Sequence, residues 1–262
     1  AGCGTPADRG KTAVSLARLS IELVPRTPED LINEARTVKT LFPAADTLNI
    51  PDLMRFPLRS WDAAKLAQPY CKRIIAHVRA IDIAPDAPLP GVDQPGLEEV
   101  LVVHGDPPAD LSRRTYPNSS ESIIRRYRRE APHLRIYAAF DPYRRAPWQE
   151  LEDVARKKDA GAEGFFTQPV FDFKLFDLCR EWLKNETVFW GLSPVIGPRS
   201  RSYWETTNHI VFPHDFSPTL EANVAFAGRV LRELSHTQGN AYLMPVRIKL
   251  EQYLPPLLAW LD

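Results

Sequence analysis

Glu99-Val100-Leu101-Val102-Val103-His104, then Ser120–Arg129, then Leu134-Arg135-Ile136-Tyr137-Ala138-Ala139-Phe140, then Trp148–Lys158, then Gly164-Phe165-Phe166-Thr167-Gln168-Pro169: this stretch sets the rhythm of the chain. Short runs of β-branched and aromatic residues alternate with longer segments whose apolar residues return every three or four positions, as strands alternating with helices require. Strands joined through whole helices pair in parallel, because a crossover of that length brings the chain back to the same end of the sheet.

The same rhythm extends in both directions. Upstream lie Leu19–Val24, Thr47–Ile50 and Arg73–Ile81, and downstream Val188–Val195 and Ala241–Val246, giving eight candidate strands. Helical periodicity fills the gaps at Pro28–Leu41, Lys174–Lys184, Leu220–Leu234 and Ile248–Trp260. Thr27 is placed to cap the first of these, and a short helix at Ser60–Leu66 ends ahead of Pro69. Pro85–Leu97 carries four prolines and two glycines, so that crossover reads mostly as loop. Eight such units in 262 residues predict an α/β chain folded as one (β/α)₈ barrel domain over residues 1–262, within which residues 1–14 form a flexible N-terminal segment. A doubly wound sheet is the rival, but the chain has neither Gly-x-Gly-x-x-Gly after its first strand nor a Gly-Lys-Ser/Thr phosphate loop.

Composition narrows the partners. Lys plus Arg and Asp plus Glu both number 33, so no global field draws the chain to nucleic acid or to an anionic membrane. No apolar run approaches the ~20 residues of a membrane span, and no basic segment with an apolar core opens the chain, so a cytoplasmic protein is expected. Cys3, Cys71 and Cys179 are odd in number and widely spaced, which reads as reduced thiols. His209 and His214 lack a third nearby ligand, and no metal is expected. Arg125, Arg126, Arg128 and Arg129 would spread around a helix flanked by Glu121 and Glu130, as a solvated surface does. Oligomeric state is left open.

A barrel gathers the C-terminal ends of its strands at one mouth, and three of those ends carry polar residues in apolar settings: Glu22, Asp106 and Gln168. A carboxyl held against apolar walls keeps its proton and suits a general acid, while one nearer water stays ionised. Each residue also has a plain structural use. Glu22 could pair with a lysine inside the barrel, Asp106 could cap the turn before Pro107 and Pro108, and Gln168 could satisfy strand-end backbone groups.

The order of these motifs resembles that of the methylenetetrahydrofolate reductases. The likeness runs through the Glu22 strand, Val102-Val103-His104-Gly105-Asp106-Pro107-Pro108, Lys158-Asp159-Ala160-Gly161-Ala162 and Phe166-Thr167-Gln168-Pro169-Val170-Phe171-Asp172. It is strongest from Glu99 to Asp172 and covers roughly two thirds of the chain. The resemblance implies reduction of 5,10-methylenetetrahydrofolate to the 5-methyl form, with NAD(P)H as electron source and FAD as carrier. It implies Glu22 as the acid, Asp106 as the charge facing flavin and folate, and Gln168 as a folate ligand. For the flavin it implies His77, His104 and Phe140, with Glu150, Asp153, Arg156 and Lys157 around the nucleotide portion. The sequence also departs from the family. Asn49-Ile50-Pro51-Asp52-Leu53-Met54-Arg55-Phe56 replaces a glycine-rich loop, His104 replaces an arginine, and the aromatic expected after Val195 is missing, leaving Tyr203 or Trp204 to stack on a ring. The alternatives are direct hydride transfer without flavin, a folate-dependent methyl transferase, and a non-catalytic folate or flavin carrier.

Overall fold

The computed structural model describes residues 15–108, 110 and 112–261. The expected flexible segment at 1–14, and Cys3 within it, lie outside the described residues. Eight parallel strands close into a barrel in sequence order: β1 (Arg18–Glu22), β2 (Thr47–Ile50), β3 (Arg73–Arg79), β4 (Glu99–Val103), β5 (Arg135–Phe140), β6 (Gly164–Thr167), β7 (Val188–Leu192) and β8 (Asn240–Leu243). β8 pairs with β1 to complete the ring, Ser20 lying opposite Tyr242. The protein is a TIM barrel.

Around it run α1 (Pro28–Leu41), α2 (Ser60–Ala67), α3 (Ser120–Glu130), α4 (Pro147–Ala160), α5 (Phe173–Trp182), α6 (Gly197–Thr207), α7 (Leu220–His236), α8 (Leu250–Tyr253) and α9 (Pro255–Leu258). Thr27 caps α1 as expected, its hydroxyl accepting from the Asp30 amide at 3.1 Å, and Pro28 fills a position whose N–H would have gone unused. Leu31, Ala35 and Val38 form the buried stripe of that helix. α4 ends at Gly161, whose φ of +112° suits glycine at a helix C-terminus.

Three expectations change. Ile248–Trp260 is not one helix: Pro255 supplies no N–H and its ring crowds the preceding turn, so the segment divides into α8 and α9. The stretch after Val195 contains α6, which its run of arginines and serines concealed. The strands also stop earlier than their apolar runs suggested, β3 at Arg79 and β7 at Leu192. The β3–β4 crossover holds only a short 3₁₀ turn at Ala80–Asp82, and there Ile83, Leu89 and Leu97 cover the barrel wall in place of a helix.

Strand alternation sorts the core into two layers. Outward-facing residues such as Leu19, Val100, Ala138 and Phe165 pack under the helices. Inward-facing Ile75, Leu101, Tyr137, Phe166, Phe189 and Tyr242 fill the barrel, with Phe166 and Phe189 stacked at 4.2 Å between centroids. Beneath them Arg18 reaches across the barrel, donating to Glu99 at 3.0 and 2.7 Å, to Thr47 at 2.8 Å and to the Tyr137 hydroxyl at 3.0 Å. That plug fills the barrel interior at one end, while the other end, where the strands finish, opens into a cleft.

Candidate active site

At the C-terminal ends of the strands lies a cleft of about 680 Å³. Glu22, Asp106 and Gln168 all line it, so three residues distant in sequence share one cavity. Glu22 ends β1 pointing inward and is partly buried. Its only side-chain hydrogen bond among the described residues comes from the Tyr242 hydroxyl, which donates to Oε2. Burial without a cation pushes the Glu22 carboxyl up to about 7, against the smaller opposing effect of that hydrogen bond. A carboxyl titrating there can both give and take a proton at neutral pH.

Asp106 occupies a different environment. Its side chain stands at the rim, 81% exposed, with the Arg144 guanidinium at 3.5 Å. The loop that carries it is tied down by Arg79, which donates to the Asp106 backbone carbonyl at 2.6 Å and to Asp82 at 2.7 Å. Gly105 makes this turn possible: its φ is +87°, and a Cβ there would stand 3.2 Å from the Arg79 guanidinium carbon. Gln168 follows β6 directly, half-buried, its backbone N–H donating to the Phe140 carbonyl at 2.8 Å.

His77, on β3, lies on the cleft floor at 6% exposure. Ser20 donates to Asn49 Oδ1 at 2.5 Å, which leaves the Asn49 amide nitrogen facing His77 Nε2 at 3.0 Å. In that arrangement Nε2 accepts and the ring proton resides on Nδ1. Burial lowers the His77 pKa to about 3, so the ring is neutral. His104 lines the cleft from its exposed rim.

Glu150, Asp153, Arg156 and Lys157 also line the cleft, but as a closed network rather than a solvated helix face. Lys157 donates to the Ala139 carbonyl at 2.7 Å and meets Asp153 at 2.5 Å. Arg145 pairs with Glu150 at 2.6 Å and Asp153 at 3.0 Å, while Arg156 pairs with Glu121 at 3.2 Å and Asp153 at 3.2 Å. Each cation on this wall already has a carboxylate.

Two expected contacts are corrected. Phe140 does not reach the cleft: on β5 it shares the outward face with Ile136 and Ala138, packs under the helices at 1% exposure, and leaves Ala139 to line the cavity. Tyr203 is turned away as well, with the Arg247 guanidinium 4.2 Å over its ring. Neighbours on a helix point about 100° apart, so Trp204 faces the cleft instead, 5% exposed. The sequence reading also missed Tyr242 and Asn208. Tyr242 lay inside an apolar strand whose parity had not been fixed. Asn208 lines the cleft with Nδ2 buried and unbonded among the described residues. Among the same residues, no group of three or more His, Cys, Asp or Glu is placed to hold a metal ion, and no helix is long and apolar enough to cross a membrane.

No family model matches the chain, and no curated protein matches it by sequence. Solved structures match its fold. An uncharacterised Clostridium thermocellum protein that binds two copies of 5-methyl-5,6,7,8-tetrahydrofolic acid aligns at TM-score 0.66 and 14% identity, over 95% of both chains. Oxaloacetate acetylhydrolase aligns at TM-score 0.56 and 12% identity, over 95% of this chain and 80% of that one. Dihydropteroate synthase from Thermus thermophilus aligns at 0.54 and 17%, over 94% and 93%. At such identities the likeness establishes the barrel alone.

Proposed function

We propose that the cleft binds a reduced folate and that the chain reduces the methylene bridge of 5,10-methylenetetrahydrofolate, taking hydride from NAD(P)H. The observation that carries this reading is Glu22: a carboxyl at the barrel mouth with no cation partner among the described residues, pushed to about 7, in one cleft with Asp106 and Gln168. Protonated Glu22 gives its proton to N10 of the folate as the bond from N10 to the bridging carbon breaks. The electron pair of that bond stays on N10, and the carbon becomes an N5 iminium. Hydride from the dihydronicotinamide adds to this carbon, giving the 5-methyl group and NAD(P)⁺, and solvent returns a proton to Glu22. The Asp106 carboxylate stabilises the cationic iminium, an effect that strengthens once the ligand covers the rim and excludes water. Gln168 and the His77 Nδ1–H supply hydrogen bonds to the pterin's polar edge. A folate-binding barrel and dihydropteroate synthase among the similar folds support a pterin ligand.

The flavin implied by the family resemblance fits these residues poorly. A pyrophosphate needs a free cation or a backbone cradle. Lys157, Arg145 and Arg156 are matched by carboxylates, and the β2 loop places Leu53, not glycine, in the cleft wall. In the proposed reaction hydride therefore passes directly from the nicotinamide to the folate. The hydride donor in this reading is a nicotinamide that enters and leaves as co-substrate.

The test is kinetic and spectroscopic. Purified protein should oxidise NAD(P)H only when 5,10-methylenetetrahydrofolate is present, and should show no absorbance band at about 450 nm, where bound flavins absorb. Methyl transfer without nicotinamide consumption, or folate binding without turnover, would replace the reductase reading. A 450 nm band that titrates with activity would restore the flavin.

A further inference from the structure

We infer that Tyr242 is a positioning residue that decides which oxygen of Glu22 carries the transferable proton: by donating its hydroxyl hydrogen to Oε2, it reserves Oε1 for the proton that faces the ligand. The inference rests on the reading of Glu22 as the acid and deepens it.

The geometry is specific to this pair. Glu22 and Tyr242 stand on adjacent strands, since β1 and β8 close the barrel with Ser20 opposite Tyr242 and Ile21 opposite Leu243. Both side chains point inward and line the cleft. The tyrosine ring has little freedom: it is 3% exposed and meets the Phe166 ring edge-to-face, centroids 5.0 Å apart at 87°. Phe166 is itself stacked on Phe189, so the barrel filling fixes where the hydroxyl points.

Chemistry then assigns the roles. Burial and the neighbouring carboxylate hold the Tyr242 phenol well above its ordinary range, so it keeps its proton at any working pH and serves as a permanent donor. An oxygen that accepts this hydrogen is a poor place for the carboxyl's own proton, which goes to Oε1. Without Tyr242 either oxygen could hold the proton, and half of the protonated molecules would present a lone pair where an acid is needed. The tyrosine also moderates how strongly burial holds the proton, because its hydrogen bond favours the carboxylate. Other ionisable groups face the same cavity: His77 and Arg79 from β3, His104 and Asp106 from the β4 loop, Asp141 and Arg144 from the β5 loop, and the paired charges of α3 and α4. The Glu22 shift has burial and Tyr242 as its causes, so removing the hydroxyl should act on Glu22 alone.

Tyr242→Phe tests this in two ways. In folate-free protein labelled with ¹³C-glutamate, with Glu22→Gln used to assign the resonance, the Glu22 midpoint should move upward from about 7 by roughly one pH unit, a tenfold gain in proton affinity. In turnover, the high-pH limb of kcat should move by the same amount, and kcat below that limb should fall several-fold with KM little changed. Replacing Tyr242 with 3,5-difluorotyrosine, a near-isosteric and stronger donor, should shift the midpoint the other way, which keeps the inference testable if the phenylalanine variant folds poorly. A Glu22 midpoint unmoved by either replacement in folded protein would overturn it. Absence of turnover in the wild type would remove the reductase reading alone, since the NMR titration needs no substrate.

Discussion

Glu99 and Glu22 enter the same barrel from opposite ends, and their surroundings could hardly differ more. Glu99 receives two hydrogen bonds from Arg18, with Tyr137 alongside and Arg135 at 3.6 Å. Glu22 receives one from a neutral tyrosine and meets no cation among the described residues. Matched charge makes Glu99 part of the fold, whereas burial without a matching charge raises the Glu22 pKa and makes its ionised form costly to stability. Position along the strand explains the division, because Glu99 begins β4 at the end that Arg18 fills, whereas Glu22 finishes β1 at the end that opens into the cleft.

Substitutions at the two sites should therefore fail in opposite ways. Glu22→Gln is expected to lower turnover by about 10²–10⁴-fold, the usual contribution of a positioned acid, while its urea unfolding midpoint at pH 8 stays level or rises. Wild-type-like turnover in that variant would remove Glu22 as the acid. Glu99→Gln should leave Arg18 as an uncompensated charge at 11% exposure and cost about 3 kcal/mol in urea unfolding, with residual activity in the folded fraction. If Glu99→Gln instead abolished turnover without destabilising the protein, the contrast between the two ends would collapse.

The same contrast shows what could be read from the chain beforehand. Eight apolar runs at regular spacing, separated by amphipathic segments, are a physical consequence of parallel βα units, so the barrel and the location of Glu22 were both legible. Asp106 and Gln168 were legible as polar residues at strand ends. Side-chain parity was harder. Phe140 stood at the right end of β5 but on the wrong face, and Tyr242 stood on the right face but looked like core. A strand shifted by one residue reverses every side chain, and an apolar strand buried on both faces gives no alternation from which to fix the phase. Charge pairing was not legible at all. Glu150, Asp153, Arg156 and Lys157 looked like either a solvated helix face or a nucleotide contact, and only the approach of Glu121 and Arg145 from other segments shows them spent on one another.

Glu34 sharpens the comparison from outside the site. It lies on α1, against which α8 packs, and its carboxyl is also pushed up to about 7, by burial first and then by the nearby charges of Asp30 and Glu251. One of its oxygens is buried without a hydrogen-bond partner among the described residues. Its shift resembles that of Glu22, yet it does not line the cleft at the barrel mouth, so a raised pKa by itself does not mark an acid catalyst. A carboxyl whose folded pKa lies above its unfolded value adds stability below the unfolded pKa and loses it as pH rises through the folded one. Glu34 therefore weighs on the fold increasingly between pH 4.5 and about 7. Glu34→Gln should raise stability at pH 8 by about 1 kcal/mol, the full shift being discounted for partial solvent access. It should match the wild type near pH 4.5 and leave turnover unchanged. Equal unfolding midpoints at both pH values would mean that α1 and α8 relax to hydrate the charge, leaving Glu22 as the carboxyl whose burial the barrel itself enforces.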